Sequence, residues 1–463
     1  LLDIEPKVIE TLLAEQFRTK EKLIGANVQA LHLGRDWALA NLACPIGLRV
    51  RRSDRVGERI FIEGNAAAGL GAVYGGATVC AWYPITPSTS LAEAFTRYCN
   101  RFRVDKETGA KKFGIVQAED ELASIGMVIG AAWNGARAFT ATSGPGISLM
   151  QEFIGLAYFA EIPAVLFDVQ RGGPSTGMPT RTQQSDILSA AYASHGDTKH
   201  VLLLPEDPRE CFEFAAQAFD LADRLQTPIF VMLDLDIGMN EWLVKPLAWD
   251  DARRLDRGKV LSAEELEAGR KFGRYLDVDG DGIPFRTYPG THPTRGAFFT
   301  RGTSKDRMAK YSEEGADYVE NMQRLLRKFE TAKSLVPAPV IRSAAEPSRV
   351  GVIYYGSTSA AMEEALETLA GQGIALDTCR VRAFPFAESV VDFVLAHDRV
   401  FVVEQNRDAQ LRTLLVNECA LDPARLMPIL HYDGTPITAR FIAQAIGQQW
   451  RALSGAAHQD AAE

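Results

Sequence analysis

GIVQAEDELASIGMVIGAAWNGARAFTATSGPGISLMQEFIGLAYFAEIPAVLFDVQRGGPSTGMP, residues 114–179, holds the pattern from which the rest of the chain can be read. Three acids, Glu119, Asp120 and Glu121, open a segment made almost wholly of Gly, Ala, Ser and short apolar residues. Acids at that position belong near a helix N-terminus. Side chains this small let the backbone approach another surface closely, as a helix lying on a cofactor or partner subunit requires. A Thr/Ser/Gly-rich turn follows, then an apolar strand that ends on Arg171 and the pair Gly172–Gly173.

Working outward, short apolar runs alternate with helical patterns from Ile60 to about Val244. RIFIEG, ATVCAWYPI, FGIVQA, ARAFTATS, PAVLFDVQ, HVLLLP and PIFVML read as strands, whereas LAEAFTRYCNRF and PRECFEFAAQAFDLADRL carry helical spacing. Such alternation predicts a parallel sheet covered on both faces. A second α/β unit starts at Val350, after the Pro/Ala/Ser cluster VPAPVIRSAAEPS. Four segments are expected: helices and a basic linker over 1–55, an α/β domain over 56–245, a loop-rich stretch and charged helix over 246–340, and the second α/β domain over 341–455.

A net charge of −9 argues against non-specific binding to nucleic acid or anionic membrane. Six scattered cysteines (Cys44, Cys80, Cys99, Cys211, Cys379, Cys419) contain no C-x-x-C pair, so neither a metal site nor a disulfide framework is expected, which suits a reducing cytoplasm. No apolar run is long enough to span a bilayer. The opening LLDIEP lacks an initiator methionine, as a fragment or processed product would.

Several motifs have a plain and a chemical reading. GNAAAGLGAVYGG (64–76) follows a strand as a phosphate-binding turn does. It lacks both the P-loop Gly-Lys-Ser/Thr and the G-x-G-x-x-G spacing, so close helix–sheet packing is preferred. In WYPITPSTSLAEAF (82–95) two prolines stiffen the exit from a strand, and Ser88 or Ser90 can cap the next helix. Ligands bind open α/β sheets at such turns; a simple strand-to-helix connection is the alternative. Asp277, Asp279 and Asp281 are spaced as in a calcium loop, but Tyr288 stands where the bidentate Glu belongs. An Asp-braced turn is therefore preferred there. His195, His200 and His292 are isolated and suggest no metal set, although His292 could reach a substrate. Arg171 offers a carboxylate a bidentate fork, or else forms an ordinary ion pair at a strand end.

YPITPST (83–89), AEDELASIGMVIGA (118–131), TSGPGISLM (142–150) and DVQRGGPSTGMPT (168–180) together resemble the alpha subunit of 2-oxoacid:ferredoxin oxidoreductases, most nearly the 2-oxoglutarate type. VVEQNRDAQ (402–410) resembles the family's second domain, and residues 1–48 resemble the tail of a gamma domain of which most would be missing. The resemblance implies an α/β fold of two thiamine-enzyme-like domains: a pyrimidine-binding parallel-sheet domain and a transketolase-C-terminal-like domain.

It further implies thiamine diphosphate shared with a beta subunit that carries the magnesium, the diphosphate grip and the iron–sulfur cluster. Coenzyme A is the co-substrate, ferredoxin or a further subunit the electron acceptor, and alpha2beta2 the assembly. Glu121, nine residues before Gly130 as in the family pattern, would activate the aminopyrimidine, with Glu119 as second choice. Tyr83, Pro84, Ile85, Thr142 and Ser143 would line the pyrimidine pocket. Arg171 and Thr86 would hold the 1-carboxylate of the 2-oxoacid, and Arg181 the distal carboxylate of 2-oxoglutarate. The reaction expected is oxidative decarboxylation of 2-oxoglutarate to succinyl-CoA. The alternatives are pyruvate, branched-chain or aromatic 2-oxoacids, or a non-catalytic electron-transfer scaffold.

Overall fold

The computed structural model describes residues 2–43, 46–299, 302–346 and 348–460. Cys44 and the end of the GAAHQDAAE tail lie outside the described residues. The chain divides into two compact units, Leu1–Arg59 and Ile60–Glu463. In the first, helices Pro6–Gln16 and Lys22–Asn41 bury none of their residues. Leu12, Leu33, Trp37 and Leu39 stay exposed, and His32 Nε2 meets Glu10 Oε1 at 2.9 Å.

The second unit contains strands β1 (Ile60–Glu63), β2 (Val79–Trp82), β3 (Gly114–Gln117), β4 (Ala138–Thr142), β5 (Ala164–Gln170), β6 (Val201–Leu203) and β7 (Pro228–Asp234). They are followed by β8 (Glu241–Val244), β9 (Val340–Arg342), β10 (Val350–Tyr354), β11 (Asp377–Arg380), β12 (Ala383–Phe384), β13 (Arg399–Glu404) and β14 (Leu426–Leu430). The main sheet runs β12-β6-β7-β5-β4-β2-β3, parallel throughout except for β12. Every residue of β4, β5 and β7 is buried, which is why these strands read as continuous apolar runs rather than alternating ones.

The smaller sheet runs β14-β13-β10-β11-β9, parallel except for β9. Two sequence expectations need correction. RIFIEG does form β1, but it pairs antiparallel with β8 in a separate two-stranded ribbon. Within VPAPVIRSAAEPS, residues 340–342 form a strand that the sequence reading did not include, pairing as β9 with β11. Both errors have one cause: an apolar run declares a strand but not its partner.

The glycines of 64–76 serve packing. The helix Gly64–Tyr74 lies against Thr89–Phe102 and Pro208–Leu225. A Cβ at Gly69 would stand 2.9 Å from Phe95 N, and one at Gly71 would strike Phe212 O. Strand order reverses at β2: the chain leaves it for the edge strand β3 and returns on its other side as β4. A crevice therefore opens past the C-terminal ends of these strands, where such sheets take ligands.

Candidate functional site

The first wall of the crevice is Tyr83–Thr86, directly after β2. Tyr83 is exposed and Ser88 fully buried. Ser88 sits at the N-cap of Thr89–Phe102, but its hydroxyl donates to Ile85 O at 3.0 Å and caps nothing. Ser90 does not cap either, since its Oγ accepts from Asn65 Nδ2 at 2.9 Å. Asn65, wholly buried in the neighbouring helix, also donates to Pro87 O at 2.8 Å. The turn is thus braced from behind by an amide that sequence reading passed over.

β3 delivers the acid run. Glu119 and Asp120 are exposed, and Asp120 caps the helix Glu121–Trp133 by accepting from Ala123 N at 2.6 Å. Glu121, the first helical residue, is only 7% exposed and takes no hydrogen bond or ion pair from any described residue. Its stem faces the turn after β4. Thr142 and Ser143 in that turn are fully buried, and Ser143 Oγ has no hydrogen-bond partner. A Cβ at Gly146 would collide with Thr142 Oγ1 and stand 3.0 Å from Glu121 Cγ. Glycine is required there because three elements converge on one point.

β5 delivers Arg171, 7% exposed, whose Nη1 donates to Thr86 O at 2.7 Å while Nε has no partner. Arg171 and Thr86 are therefore brought together, though through the threonine's carbonyl. Beside them lies an acid pair that the sequence analysis missed. Asp168, in the middle of β5, is completely buried, and neither of its oxygens receives an N–H or O–H bond. It faces Asp186, whose backbone N–H donates to Gln170 Oε1 at 3.1 Å. A Cβ at Gly144 would stand 2.6 Å from Asp186 Oδ1, which places this acid against the TSGPG turn. Burial, then the charge of Asp186, pushes Asp168 well above the usual carboxylate range. Burial pushes Asp186 up to about 6, against the pull of Asp168's hydrogen bond and of Arg171. The one signal in sequence was an Asp inside an otherwise apolar run.

Beyond the crevice, Asp234 caps the short helix after β7 by accepting from Ile237 N at 2.9 Å. It also accepts from Gln184 Nε2 at 2.7 Å and from Ser357 Oγ at 2.6 Å. The buried Gln405 then donates to Ser357 Oγ at 2.8 Å, tying the smaller sheet to this edge. Arg181 is exposed and donates to its neighbour's carbonyl, Thr180 O, at 3.0 Å.

Other candidates are spent structurally. Asp277 caps its own turn through Gly280 N at 2.8 Å and Gly282 N at 3.0 Å. Lys259 Nζ bridges Asp279 at 2.7 Å and Asp281 at 2.8 Å, so an ammonium already occupies the loop's acidic side. His292 Nδ1 accepts from Thr294 N and Arg295 N, and its Nε2 meets Glu267 at 2.6 Å. Among the described residues, no cluster of His, Cys, Asp and Glu could hold a metal, and no helix is long and apolar enough to cross a membrane.

Residues 70–329 match the family model described as pyruvate flavodoxin/ferredoxin oxidoreductase, thiamine diP-binding. The 2-oxoacid:ferredoxin oxidoreductase 2 alpha subunit of Aeropyrum pernix is 34% identical over 96% of this chain and 69% of its own length. The 2-oxoglutarate synthase subunit KorA of Methanocaldococcus jannaschii is 34% identical over 75% of this chain and 88% of its own. A 2-oxoglutarate:ferredoxin oxidoreductase from Magnetococcus marinus, solved with 2-oxoglutarate, coenzyme A and succinyl-CoA bound, superimposes with a TM-score of 0.82. The match has 27% identity and covers 96% of this chain and 75% of that one. The chain spans between 61% and 69% of the length of the first archaeal alpha subunits it matches. On the family model and these identities, the chain belongs to the alpha subunits of the 2-oxoacid:ferredoxin oxidoreductase family.

Proposed function

We propose that this chain is the pyrimidine-activating and carboxylate-binding part of a thiamine diphosphate-dependent oxidoreductase that converts 2-oxoglutarate to succinyl-CoA. The observation that carries this is Glu121: an acid 7% exposed that takes no bond from a described residue, packed against a turn whose sealed Ser143 hydroxyl has no partner. A donor–acceptor ring edge between them would satisfy both, which is the fit an aminopyrimidine offers. When bound, thiamine diphosphate supplies the nucleophilic carbon and the electron sink for decarboxylation.

The chain's own residues hold and orient. Glu121 would lend a proton to the pyrimidine ring nitrogen and take it back, a positioned acid–base role. Tyr83, Pro84, Ile85, Thr142 and Ser143 would line the pocket for the ring. Arg171, aimed by the Thr86 carbonyl, holds the 1-carboxylate through its remaining N–H groups. Arg181 lies on an exposed loop and would take the distal carboxylate. A beta-type partner brings the magnesium, the diphosphate grip and the iron–sulfur cluster, in an alpha2beta2 assembly that passes electrons to ferredoxin. Coenzyme A accepts the acyl group. The free cysteines suit a cytoplasmic enzyme.

A second reading keeps the chemistry and changes the acid to pyruvate, as the description of the matching family model suggests. Initial rates of the alpha–beta complex with 2-oxoglutarate, pyruvate, branched-chain and aromatic 2-oxoacids, with coenzyme A and a viologen acceptor, test both. The largest kcat/KM on 2-oxoglutarate is expected; a larger value on any other acid overturns the substrate. Unchanged turnover in Glu121→Ala would instead favour a non-catalytic scaffold.

A further inference from the structure

We propose that the carboxyl pair Asp168–Asp186 takes up one proton from solvent when a 2-oxoacid carboxylate docks on Arg171, so that substrate binding and protonation are coupled. The proposal rests on the reading of Arg171 as the carboxylate grip.

Asp168 is fully buried and neither of its oxygens has an N–H or O–H partner. A lone ionised carboxylate in such a place is untenable. The polar group it faces is a second carboxyl, and two that close do not both ionise. The pair therefore shares one proton and carries one negative charge, which Arg171 balances. Burial and the charge of Asp186 keep Asp168 protonated, while burial pushes Asp186 up to about 6 against the pull of Asp168's hydrogen bond and of Arg171, so the pair behaves as one titrating unit.

The other surroundings of Asp186 carry no competing charge. The turn after β4 presents Gly144, and the helix Gln410–Cys419 presents Gln410, whose Nε2 donates to Ser185 O at 2.7 Å. From the smaller sheet the facing titratable group is Tyr355, a neutral phenol whose own neighbours are Glu404 and Asp234. Glu404 is held by the backbone N–H groups of Leu411, 2.7 Å, and Arg412, 3.0 Å. The incoming carboxylate thus adds a negative charge beside Arg171, which Asp186 relieves by accepting a proton.

The sign follows. Substrate binding raises the pair's second pKa further, so affinity is full below pH about 6 and falls as pH rises above it. In the assembled alpha–beta enzyme, titration calorimetry with N-oxalylglycine, a 2-oxoglutarate analogue that cannot lose carbon dioxide, is run at pH 7 in buffers of differing ionisation enthalpy. The wild type is expected to take up close to one proton per site and Asp186→Asn none, with the variant's Kd flat between pH 6 and 8. Asp186→Glu should restore uptake. No uptake in the wild type, or uptake undiminished in a folded Asp186→Asn, overturns the proposal. Unchanged affinity in Arg171→Met would overturn the carboxylate grip itself, a separate result.

Discussion

Arg171 and Thr86, 85 positions apart, are joined by a 2.7 Å hydrogen bond from the guanidinium Nη1 to the threonine carbonyl. The bond locks the exit of β2 to the exit of β5 across the intervening β4. One donor of the fork is committed to aiming the cation and the rest stay available. Such pre-aiming lowers the ordering cost of binding.

Arg171→Ala in the assembled enzyme is expected to raise KM for the 2-oxoacid far more than it lowers kcat. The change corresponds to about 2–5 kcal/mol, as for stripping one partner from a buried charge pair. Arg171→Lys should recover only part of this, since an ammonium lacks the fork. Initial-rate kinetics check both, and an unaltered KM in the alanine variant would remove Arg171 from the substrate site.

Glu121→Gln should lower kcat by roughly 10²–10⁴-fold, the usual scale of a positioned acid–base group. The carboxylate makes no bond with a described residue, so folding and subunit assembly should be unaffected. Turnover is compared with sedimentation of the same preparation, and a loss of assembly in step with activity would argue against a chemical role.

Gly146→Ala tests the convergence of three elements without replacing a polar side chain. Its methyl would overlap Thr142 Oγ1 and press on Glu121 Cγ. Overpacking of this kind costs about 1–3 kcal/mol, so a lower Tm and a larger loss of turnover than stability alone explains are expected. An active variant of native Tm would mean that the turn has room to spare.

His200 gives a pH test of the fold. It is completely buried, with Nε2 on Ala193 O at 3.0 Å, and burial lowers its pKa to about 4. A histidine depressed in the native state contributes stability above its unfolded value, about 6.5, and that stability is lost as pH falls toward 4. Roughly 3 kcal/mol is at stake over that window. Urea midpoints from pH 7 to 4.5 should fall in the wild type, with a shallower fall in His200→Gln. Parallel slopes would assign the acid sensitivity to carboxylates instead.

Much of this was legible in the residues. β4 to β7 were visible because strands buried on both faces are dominated by apolar residues. Glu121, Arg171 and the TSGPG turn stood out because their neighbours are unusually small. The pair Asp168–Asp186 and the separate braces Asn65 and Asp234 did not, since single polar residues scattered over 170 positions (65 to 234) announce no partner in sequence. β12 was read only as the end of the run IALDTCRVRAF, since two residues, Ala383 and Phe384, have no periodicity that would set them apart as a strand of the large sheet.

That two-residue strand has consequences for anyone dividing the protein. Ala383–Phe384 is lent by the C-terminal portion to the edge of the large sheet, beside β6. Arg380 and Arg382 come with it and neutralise Glu210, itself 1% exposed, at 2.8 and 2.9 Å. Severing the chain near residue 340 would leave a bare, sticky rim and an orphaned anion together. The halves are stitched, so a recombinant N-terminal fragment is expected to precipitate where the intact polypeptide stays dispersed.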